Sequence, residues 1–85
     1  MTRDKIKAEI LRIFKDEFEI ENPGLDEELG EKYEFDSIDA IELLREIEVF
    51  LETELTRDEK KQALDIRTIN DIINYVEALA LKKSK

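Results

Sequence analysis

Phe35-Asp36-Ser37-Ile38-Asp39-Ala40-Ile41-Glu42-Leu43-Leu44-Arg45-Glu46-Ile47-Glu48-Val49-Phe50-Leu51 is the stretch on which the reading of this chain turns. Asp36 is a good N-cap, and Asp39 three residues later can serve at N3, so a helix should start here. Behind this signal Leu43, Leu44, Ile47, Phe50 and Leu51 form one wide apolar stripe at steps of three and four. Ile41 lies off the centre of that stripe, beside Glu42, Arg45, Glu48 and Glu52 on the expected solvent side. The spacing predicts an amphipathic helix over Ser37 to Thr53 whose outer face is acidic.

Working outward, the segment Thr2 to Phe18 places Ile6, Ile10, Ile13, Phe14 and Phe18 on one stripe of a first helix. Thr2 is its expected N-cap, with Lys5 at N3 in place of an acid, so half of a capping box is present. From Glu19 to Phe35 the periodicity dissolves. Asn22-Pro23-Gly24 reads as a turn and Gly30 as a second break, and both glycines and the single proline fall in this stretch. Leu25, Leu29, Tyr33 and Phe35 are spaced irregularly, as anchors holding a long loop to a core. A loop beyond ~12–15 residues is uncommon in a small domain and often functional.

On the other side, Glu54 to Arg67 is thin in apolar residues, and Asp58 to Leu64 reads as one or two short helical turns. Thr68 and Asp71 form a capping-box-like pair ahead of Ile69, Ile72, Ile73, Val76 and Leu79 at helical spacing. Lys82 and Lys83 suit the negative end of that helix, and the tail through Lys85 is expected to fray. The fold class that follows is all-α: a four-helix bundle of three main helices and a short third one, with a long loop between helices 1 and 2. Residues 1–85 are read as one domain.

Composition removes several functions. The chain has neither cysteine nor histidine, so disulfides, thiolate sites, the usual zinc ligand and the usual general base are absent, and no enzyme is expected. Lys and Arg total 14 against 23 Asp and Glu, a formal charge of −9, which argues against nucleic acid and for partners with basic patches. No regular calcium-loop pattern occurs, and no metal site is expected. No run approaches ~18 apolar residues and no signal-like segment opens the chain, so a cytoplasmic, monomeric protein without a membrane span is expected.

A serine at the first turn of a helix sits beside unpaired amides and the positive end of the dipole, which favour an anion by ~0.3–1 kcal/mol. Asp36 and Asp39 would partly repel such an anion, so the helix end alone does not argue for phosphate. The run Asp36-Ser37-Ile38-Asp39-Ala40-Ile41-Glu42-Leu43-Leu44, however, resembles the Asp-Ser-Leu core of acyl carrier proteins. The order of elements along most of the chain resembles that family too.

The resemblance implies that Ser37, with Asp36 beside it, receives 4′-phosphopantetheine from coenzyme A through a phosphopantetheinyl transferase. The arm would supply the thiol this chain lacks and carry acyl cargo for fatty-acid, polyketide or related biosynthesis. It implies that Asp39, Ile41, Glu42, Arg45 and Glu48 face acyl-processing enzymes with basic patches. Leu43, Leu44, Ile47, Leu64, Ile66, Ile69, Ile72 and Ile73 are candidates for lining an acyl cleft, or simply for the core.

Departures from the family pattern are Ile38 after the serine, Glu34 and Phe35 where glycine and a small residue are usual, Arg45, Val49, and a longer Thr56 to Arg67 segment. They point to a specialised carrier. The competing reading is an acidic helical interaction module without a prosthetic group, in which Ser37 is inert.

Overall fold

The computed structural model describes residues 2–83. Helix α1 (Arg3–Phe18) begins where Thr2 accepts the Lys5 amide at 3.2 Å, the half box expected of it. Helix α3 (Ser37–Leu51) begins at a full capping box between Asp36 and Asp39, and the short α4 (Arg57–Gln62) at another between Thr56 and Glu59. A 3₁₀ turn (Ala63–Asp65) continues α4, and α5 is Ile69–Lys83. The expected Thr68–Asp71 pair is made in both directions, with the Thr68 hydroxyl accepting at 3.1 Å and the Asp71 carboxylate at 3.2 Å. The all-α class stands, with no strand among the described residues. The fraying expected through Lys85 falls on residues outside the described range.

The long loop differs in detail. It contains a one-turn helix, α2 (Leu29–Tyr33), and Gly30 lies inside this helix instead of breaking the chain. The irregular apolar spacing hid α2, because one turn needs only one inward residue, and Leu29 is fully buried. The connection is stitched to the start of α5 by backbone bonds from Leu29 N–H to Arg67 O at 2.9 Å and from Asn70 N–H to Leu25 O at 3.0 Å. An Asn70 to Asp26 side-chain bond at 2.6 Å reinforces them.

The core lies among the three long helices. Ile6, Ile10, Ile13 and Phe14 of α1 meet Ile69, Ile72, Ile73 and Val76 of α5, with Leu43 and Ile47 of α3 closing the third side. Burying each of the larger side chains contributes roughly 1.5–3 kcal/mol. Phe35 joins this core from the segment before α3: its ring is 5.5 Å from Phe14 and 5.4 Å from Phe18, which are themselves 5.3 Å apart. Tilted and offset aromatic pairs of this kind add ~0.5–1.5 kcal/mol beyond burial. The bulky residue in the approach to Ser37 thus fixes the start of α3 against α1.

Candidate functional site

Ser37 is the first residue of α3 and is exposed. Its hydroxyl forms no hydrogen bond with any described residue. The two neighbouring carboxylates are already engaged with the backbone. Asp36 Oδ1 accepts the amides of Ile38 and Asp39, both at 3.0 Å, and Asp39 Oδ2 accepts the Asp36 amide at 3.2 Å. The capping box therefore holds both acids at the helix end and leaves the serine hydroxyl uncommitted.

Beside Ser37 runs an open cleft of about 650 Å³ between α3 and the α4–3₁₀ segment. One wall is the α3 stripe Ile41, Leu44, Arg45 and Glu48; the other is the stripe Arg57, Lys60, Lys61 and Leu64. The first follows i, i+3, i+4, i+7 spacing and the second i, i+3, i+4, which puts these side chains on one helix face, with Leu64 added from the 3₁₀ turn. Phe35, Leu43, Ala63 and Ile66 add apolar surface. A volume of this order falls in the ~300–1,000 Å³ range of small-molecule sites.

The structure separates the residues that the sequence grouped. Of the cleft candidates, Leu43, Leu44, Leu64 and Ile66 line it, whereas Ile47, Ile69, Ile72 and Ile73 are fully buried core. Of the five partner-face candidates, Ile41, Arg45 and Glu48 border the cleft, and Asp39 and Glu42 do not. Glu48 is partly buried, and its Oε2 accepts the Leu55 amide at 2.8 Å. Arg57, Lys60 and Lys61 were missed, because a segment thin in apolar residues gives a weak stripe; their i, i+3, i+4 spacing was the available signal.

Glu59 was missed as well. It is 1% exposed, its Oε1 accepts the Thr56 amide at 2.8 Å, and Lys82 Nζ lies 3.4 Å from Oε2. The Tyr75 hydroxyl donates to Glu59 O at 2.6 Å, tying α4 to α5. Burial pushes the Tyr75 phenol up to about 12, with the charges of Glu59 and Glu48 acting in the same direction.

An exposed hydroxyl with no competing partner, at the edge of an apolar cleft, fits a covalently attached arm whose cargo needs shelter. Among the described residues no group of acidic side chains is placed to hold a metal ion. No helix there is long and apolar enough to cross a membrane. The family described as "Phosphopantetheine attachment site" matches residues 8–76. That range takes in Ser37, the cleft and most of α1 and α5. Neither the curated proteins nor the solved structures compared with the chain gave a match.

Proposed function

The chain belongs to the phosphopantetheine-attachment family, and from that premise we propose that it is an acyl carrier protein whose 4′-phosphopantetheine arm is joined to Ser37. Domains of this family bear the group covalently and are carriers, not catalysts. The bound group supplies the thiol on which acyl thioesters travel. The observation that carries the assignment to Ser37 is its exposed, uncommitted hydroxyl at the border of the cleft.

In this reading Asp36 orders the attachment turn, and α3 meets acyl-processing enzymes and a phosphopantetheinyl transferase through Asp39 and Glu42 on its outer face, which face their basic patches, and through Ile41, Arg45 and Glu48 at its cleft edge. Opposite fields steer such encounters and raise their rate. The protein works as a cytoplasmic monomer, a single domain serving fatty-acid, polyketide or related biosynthesis. Arg45, Val49 and the extended Thr56–Arg67 segment make it a specialised member.

Intact mass after incubation with coenzyme A, magnesium and a promiscuous transferase tests the attachment. The wild type gains one phosphopantetheine and Ser37→Ala gains none. Failure of the wild type with several transferases would leave an acidic interaction module with an inert Ser37. Feeding the loaded protein to standard fatty-acid elongation enzymes tests the specialisation, which elongation at housekeeping rates would refute.

A further inference from the structure

The cleft beside Ser37 has the wrong sign for the molecule it belongs to. The chain carries −9 overall, yet the cleft is lined by four cations, Arg45, Arg57, Lys60 and Lys61, against the carboxylates of Asp36 and Glu48 alone. Both of those carboxylates accept backbone amides. Among the described residues none of the four cations finds an acidic partner within ion-pair distance, although acids outnumber bases 23 to 14. Lys5, Lys7, Lys15 and Arg67 are likewise outside any ion pair, but they do not line the cleft; what sets the four apart is that they converge on one apolar concavity.

We propose that the cleft seats an acyl cargo with an apolar body and a distal carboxylate. The inference rests on the carrier reading and names the class of acyl group carried. Leu43, Leu44, Ala63 and Ile66 offer the apolar body its surface. Arg45, Arg57, Lys60 and Lys61 are exposed members of the two walls, and side chains of this kind can lay an aliphatic stem on apolar surface while the charged head stays in water.

Depth distinguishes this cargo from the arm's own phosphate. Arg45 is eight residues beyond Ser37 in α3, ~12 Å along the axis at 1.5 Å per residue. A phosphodiester bonded to the serine oxygen stays at the head of the helix, whereas the end of a chain carried on the arm reaches that level. For a neutral acyl chain the four cations would serve no purpose. For an anionic one they reverse locally a field that otherwise repels it. A partner's acidic patch would meet the same charges on a convex surface, but here they border a concave apolar one.

The test compares octanoyl and octanedioyl thioesters on the holo protein, with loading verified first by intact mass; failure to load rejects the carrier reading itself. Amide NMR shifts of Leu44, Ala63, Leu64 and Ile66, referenced to the unacylated holo form, report seating. At low salt the diacid should give about a 2–5-fold larger seated fraction, the yield of one or two exposed ion pairs. About 0.5 M salt, or Arg57→Gln/Lys60→Gln/Lys61→Gln, removes the difference. Equal seating of the two cargoes overturns the proposal and leaves the cations to a partner enzyme. Shifts already complete in the unacylated holo form overturn it too, and assign the cations to the arm. The salt arm uses the wild type, so the comparison stands even where the triple variant folds poorly.

Discussion

Glu34 is held at φ 56°, in the left-handed region, as the residue that ends α2, and its amide donates to Leu29 O. A residue with a Cβ pays roughly 1–2 kcal/mol for that conformation, which is why glycine is the usual helix terminator. Fatty-acid carriers, which this chain resembles, commonly have glycine at the matching position, two residues before the aspartate. Glu34→Gly should therefore raise stability by about 0.5–1 kcal/mol in urea unfolding, after glycine's greater unfolded-state entropy is set against the relieved strain. A loss of stability would show that the Glu34 side chain contributes more than its backbone strain removes. Nothing in the sequence marks a glutamate for positive φ, so this strain was illegible, whereas Asp36 and Asp39 announced their box by residue type and spacing alone. Tyr75 supplies a pH prediction. Its phenol, normally near 10, is pushed up to about 12, so the folded chain holds the proton more tightly than the unfolded one. The stability linked to it is fully present below pH 10 and is lost as pH rises through about 12. Tyr33 is raised as well, by burial and by its bond to Glu27. The diagnostic is therefore the difference: Tyr75→Phe should flatten the fall in stability above pH 10 relative to the wild type. An unchanged slope would remove Tyr75 as its source.

At the scale of elements, the three long helices were legible because each displays several turns of one apolar face between recognisable caps. The one-turn helices were not, since a single turn has too few residues to show a period. The two glycines separate these cases. Gly30 sits within α2, and a Cβ there would meet nothing closer than Phe35 O at 3.6 Å, an ordinary contact. Gly30→Ala should stabilise by about 0.4–1 kcal/mol, because it restricts the unfolded chain and adds no strain. Gly24 differs: a Cβ would lie 2.6 Å from Glu27 Oε1 and 2.7 Å from Glu27 Cγ. That carboxylate accepts the Gly24 amide at 2.7 Å and the Tyr33 hydroxyl at 3.1 Å, and pairs with Lys32 at 2.8 Å. Moving it aside should cost about 1–2 kcal/mol and loosen the link from the turn to α2. Thermal unfolding of both alanine variants checks the pair, and the same sign of change in both would contradict this account. The cleft shows the same limit of legibility. Its α3 wall could be read from the stripe, but the facing stripe of Arg57, Lys60 and Lys61 becomes a wall only once the fold sets α4 across from α3.

Over the whole molecule, 23 acids and 14 bases share a body of 37 × 26 × 20 Å, dimensions comparable to the ~30 Å screening length at 0.01 M salt. Most charges therefore feel one another in dilute buffer, and a net −9 opposes the compact state. Attractive pairs act against this. Arg12 bridges Glu9 at 2.6 Å and Asp16 at 3.0 Å, and Arg3 reaches Glu77 at 3.2 Å. Each pair is exposed, where such contacts are worth only ~0.2–1 kcal/mol and are themselves weakened by salt. The balance should favour repulsion, because the acids on the outer face of α3, Asp39, Glu42 and Glu46, have no cation within ion-pair distance among the described residues. The melting temperature should thus rise by several degrees between low salt and several hundred millimolar, and a divalent cation should achieve the same rise at lower ionic strength. A melting temperature independent of salt would mean that the ion pairs offset the repulsion. The cleft is predicted to respond in the opposite sense, since its four cations hold an anion that salt screens. One titration should then stabilise the unacylated fold while releasing a carboxylate-bearing cargo, a divergence that a uniformly acidic surface cannot produce.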